Sequence, residues 1–337
     1  MDAVTNQGLA WRRRFTEWGW GGGDFAEEIS PGMERHAVRF IKHFKPEPGD
    51  RVLIHYSGFA RGLEAALDGP SRTLVLSHNI TPADYFWAHE PLAAVRCSLA
   101  PEQLLRMARA ADVAAGVSQF NADELAAGGV ADPDVIPILF DRTKLPAVAD
   151  PGARPDGPPT ILFVGRLAPH KRQDLVIRAF ALYRRLHAPD ARLVLVGMPI
   201  HPEYEARMRA FAEEVAPGAV TFAIGVPTAE LHAHFAAAHA FLCLSEHEGF
   251  CIPLLEAFHF GIPVLARRAG GVPEVAGDAG LILEPEDSLG VVAELLHVVV
   301  GDAPLRRELA TRAAARLAAY DAETVAAKMR NRLEGLV

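Results

Sequence analysis

Residues 161–187 read ILFVGRLAPHKRQDLVIRAFALYRRLH, a run of four apolar residues, a glycine, and a stretch with helical periodicity. Short apolar runs alternating with amphipathic helices are typical of a parallel sheet that is buried on both faces. We therefore expect an open, doubly wound α/β domain in the second half of the chain. The predicted strands are Ile161–Val164, Arg192–Val196, Val220–Ile224, Phe241–Leu244, Pro263–Ala266 and Leu281–Leu283, and the predicted helices are Arg172–His187, Glu203–Val215, Ala229–His239 and Pro253–Phe260.

The first half repeats this alternation more weakly, with predicted strands at Arg51–Tyr56, Thr73–Ser77, Asp112–Val117 and Asp134–Leu139. A stretch rich in proline and glycine separates the halves, and it cannot continue a helix or a central strand. We predict an N-terminal domain (1–145), a linker (146–159), a C-terminal domain (160–320) and a final helix (321–337) that packs back on the first domain. The whole tail from about 303 to 336 has helical periodicity. In such a protein, ligands bind beyond the carboxyl ends of the strands, in a cleft that both domains face.

The composition excludes several classes of protein. Half of the 337 residues are hydrophobic and 23% are charged, which indicates a globular chain. A net charge of −8 argues against nucleic acid as a partner. Without a secretory signal or an apolar run of about 20 residues, a cytoplasmic location is expected. The three cysteines (Cys97, Cys243 and Cys251) include no CxxC pair, so neither a disulfide framework nor a thiolate metal site is indicated.

The turn after the strand Ile161–Val164 carries Gly165, Arg166 and Lys171. An arginine can bind a diphosphate through two parallel hydrogen bonds, and a lysine adds a compact positive charge. Only five of the 34 basic residues are lysines, so Lys171 stands out. The pair could neutralise a departing diphosphate without a metal ion. The alternative is two solvated charges at the start of a helix.

The segment SEHEGFCIPLLEA (245–257) follows another predicted strand and opens a helix. The backbone N–H groups of Gly249, Phe250, Cys251 and Ile252 would point from the positive end of that helix toward an anion or a sugar hydroxyl. Glu248 and Glu256 could hold vicinal hydroxyls of a hexose and a ribose. Alternatively, Glu256 is an ordinary surface charge, although its apolar neighbours favour a buried helix.

Two weaker candidates lie at other strand ends. The pair Gly270 and Gly271 permits close approach to a ligand, or forms a simple turn. His78 ends a strand of the first half, where a functional and a structural role are about equally supported. The sequence contains no complete HExxH zinc motif, no phosphate loop and no nucleophile elbow.

Three tryptophans and three arginines cluster in residues 9–20. One interpretation is a contact with a membrane interface or with a lipid-linked substrate. The interpretation we favour is a helix that packs its aromatic side chains on the sheet and exposes its arginines.

Together these segments resemble the family 4 (group 1) retaining glycosyltransferases, which have the GT-B fold of two Rossmann-like domains. The resemblance rests on Gly165-Arg166…Lys171, on EGFCIPLLEA with its Glu248-x₇-Glu256 spacing, and on AGGVPEVAGDAG (269–280). It implies that Arg166 and Lys171 bind the donor diphosphate and that Glu248 contacts the donor sugar with the amides of 249–251. Glu256 would hold the ribose, and His78 would lie near the sugar or the acceptor.

The resemblance further implies a metal-independent enzyme without a cofactor, which transfers a hexose with retention of configuration. Its partners would be a nucleotide sugar and a glycan or lipid-linked acceptor. The stretch HNITPADYF (78–86) is similar to bacterial members that build surface polysaccharides. This similarity suggests that the protein is located at the inner face of the membrane. Two alternatives remain, a non-catalytic module that binds nucleotide sugars and a glycosidase that uses Glu248 and Glu256.

Members of this family usually begin with a strand and a glycine-containing loop before a segment such as Asp2–Gln7. Here Met1 stands where the loop glycine would be. We therefore expect that the first domain lacks its first strand. We also expect an upstream in-frame extension to encode an apolar strand that raises stability.

Overall fold

The computed structural model describes residues 3–29, 36–153 and 155–336. The chain divides into two compact units, each described by itself below. Unit 1 comprises 1–83, 92–139 and 320–337, and unit 2 comprises 84–91 and 140–319. The expectation about Met1 and Asp2 lies outside the described residues. No helix in the described ranges is long and apolar enough to cross a bilayer.

Unit 1 contains a four-stranded parallel sheet with the order β3-β4-β5-β6 and a separate parallel pair, β1 and β2. The most buried strand, β4, has the apolar sequence that a strand covered on both faces requires. The elements are α1 (Ala3–Glu17), β1 (Phe25–Ala26), β2 (Arg39–Phe40), β3 (Arg51–Tyr56), β4 (Arg72–Ser77), α2 (Pro91–Ala110), β5 (Val113–Gly116), α3 (Gln119–Ala127) and β6 (Asp134–Val135).

Helix α1 carries the aromatic cluster of the N-terminal region. Trp11 is 1% exposed, and the ring of Phe15 lies 5.7 Å from those of both Trp18 and Trp20. Strand β3 forms one edge of the four-stranded sheet, and a cavity of about 1220 Å³ lies beside it, lined in part by Trp11, Phe25 and Ile54. Whether a further strand belongs in this unit stays a prediction.

Unit 2 contains a six-stranded parallel sheet with the order β12-β11-β10-β7-β8-β9. The strands are β7 (Thr160–Val164), β8 (Arg192–Val196), β9 (Val220–Ala223), β10 (Ala240–Cys243), β11 (Val264–Arg267) and β12 (Gly280–Leu283). The helices are α4 (Gln173–Leu186), α5 (Pro202–Val215), α6 (Thr228–Ala237), α7 (Ile252–His259), α8 (Val272–Ala276), α9 (Leu289–Gly301) and α10 (Ala303–Ala318). The α/β class with parallel sheets is therefore confirmed.

Three expectations about elements need correction. The predicted strand Asp134–Leu139 pairs only over Asp134–Val135. Helix α9 was not predicted, because its nearly all-apolar sequence lacks a clear polar face. The helical tail is divided into α10 and a last helix, α11 (Ala322–Glu334), since Asp321 caps a new helix by accepting hydrogen bonds from the amides of 323 and 324.

Helix α11 belongs to unit 1, where Lys328 and Arg332 both pair with Asp134, at 3.1 and 2.5 Å. The segment 84–91, which the sequence analysis placed in the first domain, groups with unit 2 instead. The described part of the linker also belongs to unit 2. There the buried guanidinium of Arg306 donates hydrogen bonds to the carbonyls of Gly152 and Ala153.

The strands β7 and β8 approach closely where they end. Gly197 follows β8 with φ +152°, and a Cβ atom there would lie 2.0 Å from the carbonyl oxygen of Gly165. Only glycine fits such a contact between two backbones without a shift of one of them.

We expect Gly197→Ala to lower the free energy of unfolding by about 2–4 kcal/mol, because the methyl group would push the two strand ends apart. Urea unfolding measures this. Gly301→Ala is the matched control, since Gly301 ends a helix and a Cβ atom added there would meet no other atom within 4 Å. Equal stability of Gly197→Ala and wild type would contradict the close approach.

Candidate functional site

The candidate site lies at the point where the chain changes direction across the sheet of unit 2. From β7 the chain moves outward through β8 to β9, and it then returns to β10 on the other side of β7. Loops that follow strands on the two sides of such a point diverge and leave a crevice at the carboxyl edge of the sheet. The two segments with the strongest sequence signals follow β7 and β10, the two strands that flank this point.

The first segment turns sharply after β7. The amide of Gly165 still donates to the Val196 carbonyl at 2.9 Å, so the strand pairing continues to the turn. Arg166 is exposed, whereas Lys171 ends a short 3₁₀ turn and is largely buried. The two predicted cations therefore differ in environment, one in solvent and one inside the site.

The structure brings Lys171 and Glu248 together as an ion pair. The Nζ atom of Lys171 lies 2.6 Å from Oε2 of Glu248, and the two side chains are 17% and 9% exposed. Burial opposes the charge on Lys171, but the carboxylate of Glu248 outweighs it and raises the pKa of the ammonium. Lys171 is therefore firmly cationic, and one of its three N–H donors is used by Glu248.

The residues between Glu248 and α7 form a tight buried turn. Gly249, Phe250 and Cys251 are buried, and Cys251 caps α7 with a left-handed backbone (φ +71°). Gly249 and Phe250 have interaction partners in the structure. The prediction that the amides of Gly249, Phe250, Cys251 and Ile252 bind an anion or a sugar stays a prediction.

Glu256 lies in α7, one turn after the helix begins. Its carboxyl is partly buried, and this burial raises its pKa to about 7. Among the described residues, none donates a hydrogen bond to this carboxylate. A ligand hydroxyl that donated to it would relieve part of the cost of burial.

The glycine pair of the third segment also meets Glu248. The amide of Gly271 donates to the carbonyl oxygen of Glu248 at 2.9 Å, and Gly270 adopts a left-handed backbone (φ +50°). The loops after β10 and β11 are therefore joined by their backbones. Of the predicted site residues, those of the three segments in unit 2 lie at one edge of one sheet.

His78 lies in unit 1, directly after β4. Its Nε2 atom is 2.7 Å from Nδ1 of His55, a residue that the sequence analysis missed. Burial lowers the pKa of both imidazoles, that of His55 to about 4. Both rings are therefore neutral near pH 7, and one of the two donates the shared hydrogen bond.

A second polar cluster lies beside the site, and it was also missed. Glu246 accepts a hydrogen bond from the hydroxyl of Tyr85 at 3.2 Å and pairs with Arg172 and, at 3.4 Å, with Arg267. The three charged residues of this cluster line a cavity of about 340 Å³. The sequence could have indicated this cluster through position alone, because each of its charged residues lies at or beyond the end of a buried strand.

His170 precedes Lys171 and is also buried. Burial, followed by the charge of Lys171, lowers its pKa to about 2, so its imidazole is neutral. The rings of Tyr85 and Phe86 meet it edge-on, each at 5.7 Å. The segment 84–91 therefore packs directly against the turn that carries Lys171.

A family model described as "Glycosyl transferases group 1" matches residues 148–316. A curated relative is the GDP-mannose-dependent alpha-(1-6)-phosphatidylinositol monomannoside mannosyltransferase of Mycolicibacterium smegmatis. It is 31% identical over 243 residues, which cover 64% of this chain and 60% of the relative. The chain therefore matches less than two thirds of that protein.

Solved structures share the fold at lower identity. Sucrose-phosphate synthase from Thermosynechococcus elongatus has a TM-score of 0.70 at 22% identity, covering 85% of this chain and 73% of its own. Anabaena HepE in complex with UDP and glucose has a TM-score of 0.66 at 20% identity, and the match covers 84% of this chain and 77% of HepE. A glycosyltransferase from Rickettsia africae has a TM-score of 0.72 at 13% identity, and the match covers 98% of this chain and 94% of that enzyme. These likenesses confirm the predicted GT-B fold class.

The raised pKa of Glu256 predicts a pH-dependent stability. The folded state keeps a proton up to about pH 7 that the unfolded chain releases near its ordinary pKa of 4.5. Stability therefore falls as the pH rises through this interval. Relative to Glu256→Gln, we expect wild type to lose up to about 3 kcal/mol between about pH 5 and about pH 8.

Urea unfolding at a series of pH values measures this difference. Glu286→Gln, at an exposed position, is the control and should keep the wild-type profile. Parallel profiles for wild type and Glu256→Gln would show that the Glu256 carboxyl is not desolvated.

Proposed function

Since the chain belongs to the group 1 glycosyltransferases, we propose that it is a retaining hexosyltransferase. It would move a hexose from a nucleotide diphosphate sugar to a glycan or lipid-linked acceptor, without a metal ion. The observation that carries the proposal is the buried ion pair of Lys171 and Glu248 between the loops after β7 and β10. It holds a cation and a carboxylate side by side where parallel sheets bind ligands.

The chemistry proposed for this site is electrostatic. Two N–H donors of Lys171 and the guanidinium of Arg166 would neutralise the charge that develops on the departing diphosphate. Glu248 keeps Lys171 in place and accepts hydrogen bonds from hydroxyls of the donor sugar. Because these groups are already positioned before the reaction, little reorganisation is needed in the transition state.

Three further elements complete the proposal. Glu256, whose carboxyl is desolvated, would accept hydrogen bonds from the ribose hydroxyls of the donor. Gly270 and Gly271 would let the backbone approach the donor closely. His78 of unit 1 would contact the sugar or the acceptor as a neutral imidazole.

The curated relative suggests which substrates to test first. Its name specifies GDP-mannose as donor and a phosphatidylinositol monomannoside as acceptor. We propose GDP-mannose and a lipid-linked glycan as the first pair for this chain. Surface polysaccharide synthesis at the inner face of the membrane is the setting in which such a reaction would occur.

Lys171→Ala and Glu248→Gln are each expected to lower turnover tenfold or more, because each removes a charge from the reacting centre. The measurement is transfer from GDP-mannose, UDP-glucose and ADP-glucose to lipid-linked acceptors, with the anomeric configuration of the product read by NMR. Retained turnover in both variants, with an intact fold, would contradict the assigned roles.

Lys144→Ala is the matched control, since Lys144 is an exposed lysine that pairs only with Asp141 at 3.0 Å in the described part of the chain. It should retain wild-type turnover. Donor binding by calorimetry without any transfer or hydrolysis would instead indicate a non-catalytic binding module. Turnover that disappears with EDTA would exclude the metal-independent reaction.

A further inference from the structure

Two thiols and one carboxylate oxygen converge in the interior of unit 2. The Sγ atoms of Cys243 and Cys251 lie 4.0 Å apart, and Oε1 of Glu248 lies 3.9 Å from Sγ of Cys243. The two Sγ atoms and one carboxylate oxygen of Glu248 all lie within 4.8 Å of one another, and all three residues are buried. The sequence did not predict this group, because the two cysteines are eight residues apart and belong to a strand end and a helix cap.

Two of these separations, Sγ to Sγ and Sγ of Cys243 to Oε1 of Glu248, are close to those of a tetrahedral metal site. With Zn–S bonds of about 2.3 Å and a Zn–O bond of about 2.0 Å, neighbouring ligand atoms lie about 3.5–3.8 Å apart. The two distances of 3.9 and 4.0 Å differ from these values by a few tenths of an ångström. The separation of Cys251 from the carboxylate is within 4.8 Å, so side-chain rotations would bring the three ligands to bonding distance of one ion.

The two oxygens of Glu248 face different partners. Oε2 is held by Lys171 at 2.6 Å, whereas Oε1 lies 3.9 Å from Sγ of Cys243. The carboxylate can therefore bind a metal through one oxygen while the other keeps its ion pair. An outer partner of this kind orients a metal ligand and is a regular feature of metal sites.

The charges also balance in such a site. A divalent cation, two thiolates, the carboxylate of Glu248 and the ammonium of Lys171 sum to zero. A neutral cluster is what burial favours, because an unbalanced charge in a low-dielectric interior is costly.

We propose that Cys243, Cys251 and Glu248 Oε1 bind one thiophilic divalent cation of the Zn²⁺ class, with Lys171 holding the other oxygen. Thiolate ligands select such ions over Mg²⁺ and Ca²⁺, which prefer oxygen. Three protein ligands leave a fourth position for water. The two cysteines and Oε1 thus form a metal site inside the candidate donor site.

Occupancy would affect the reaction in a defined way. This consequence, unlike metal binding itself, rests on the proposed function, in which Glu248 accepts hydrogen bonds from the donor sugar. A metal bound to its carboxylate would remove it from that role, so Zn²⁺ would inhibit transfer and EDTA would reverse the inhibition. The site would therefore be inhibitory and not catalytic.

The test uses the full chain, reduced with a phosphine and freed of metal, and titrated with Co²⁺. We expect one Co²⁺ per chain, with a thiolate-to-cobalt charge-transfer band in the near ultraviolet, and loss of the band when Zn²⁺ displaces Co²⁺. Cys243→Ala and Cys251→Ala should each abolish the band. Glu248→Gln should weaken Zn²⁺ binding about tenfold or more.

Cys97→Ala is the matched control, because Cys97 belongs to unit 1 and the three proposed ligands belong to unit 2, and it should keep the band. Thermal unfolding verifies that each variant is folded. Absence of the band in reduced wild type would overturn the proposal, whatever the variants do. A charge-transfer band that persists in both cysteine variants would also overturn it. The same holds if Cys243 and Cys251 form a disulfide and bind no metal.

The binding measurement does not depend on transferase activity. Metal binding in a protein that transfers no sugar would leave this inference standing and refute the proposed function. Turnover without metal binding would do the opposite.

Discussion

The site depends on one buried ion pair, between Lys171 and Glu248. Two charges in an apolar interior are costly, and they are tolerated only when each satisfies the other at close range. The contact of 2.6 Å meets this condition and connects the loops that follow two adjacent strands. Removal of either partner would leave an uncompensated charge at the proposed ligand site. The pair therefore supports the local structure and, in the proposed function, the chemistry.

The surrounding backbone explains why the pair can form. Gly197 lets the ends of β7 and β8 approach closely, and Gly271 ties the loop after β11 to the carbonyl of Glu248. Around this frame lie titratable groups kept neutral by burial, such as His170, and one carboxyl with a raised pKa, Glu256. One edge of the sheet thus combines a firm charge pair with groups that can still gain from a ligand.

The strands of unit 2 could be predicted to within one residue because most of them, β7, β8, β10 and β11, are largely buried. Such strands need continuous apolar runs, for example Ile161–Val164, and the sequence displays these directly. Strands β1 and β2 were missed, since two residues are too short to show any period. The structure places the predicted residues of unit 2 at one edge of its sheet, but the partnership of Lys171 with Glu248, 77 positions later, was not predictable.

The sequence by itself determined the fold class and the residue types at the strand ends where we propose the chemistry. These follow from local periodicity and from motifs, which neighbouring residues encode. Only the tertiary structure decided which side chains meet: His55 with His78, Glu246 with Arg172, and the thiols of Cys243 and Cys251 beside Glu248. The physical reason is that such contacts are set by strand order and by the path of the loops between strands, and neither leaves a periodic trace in the chain.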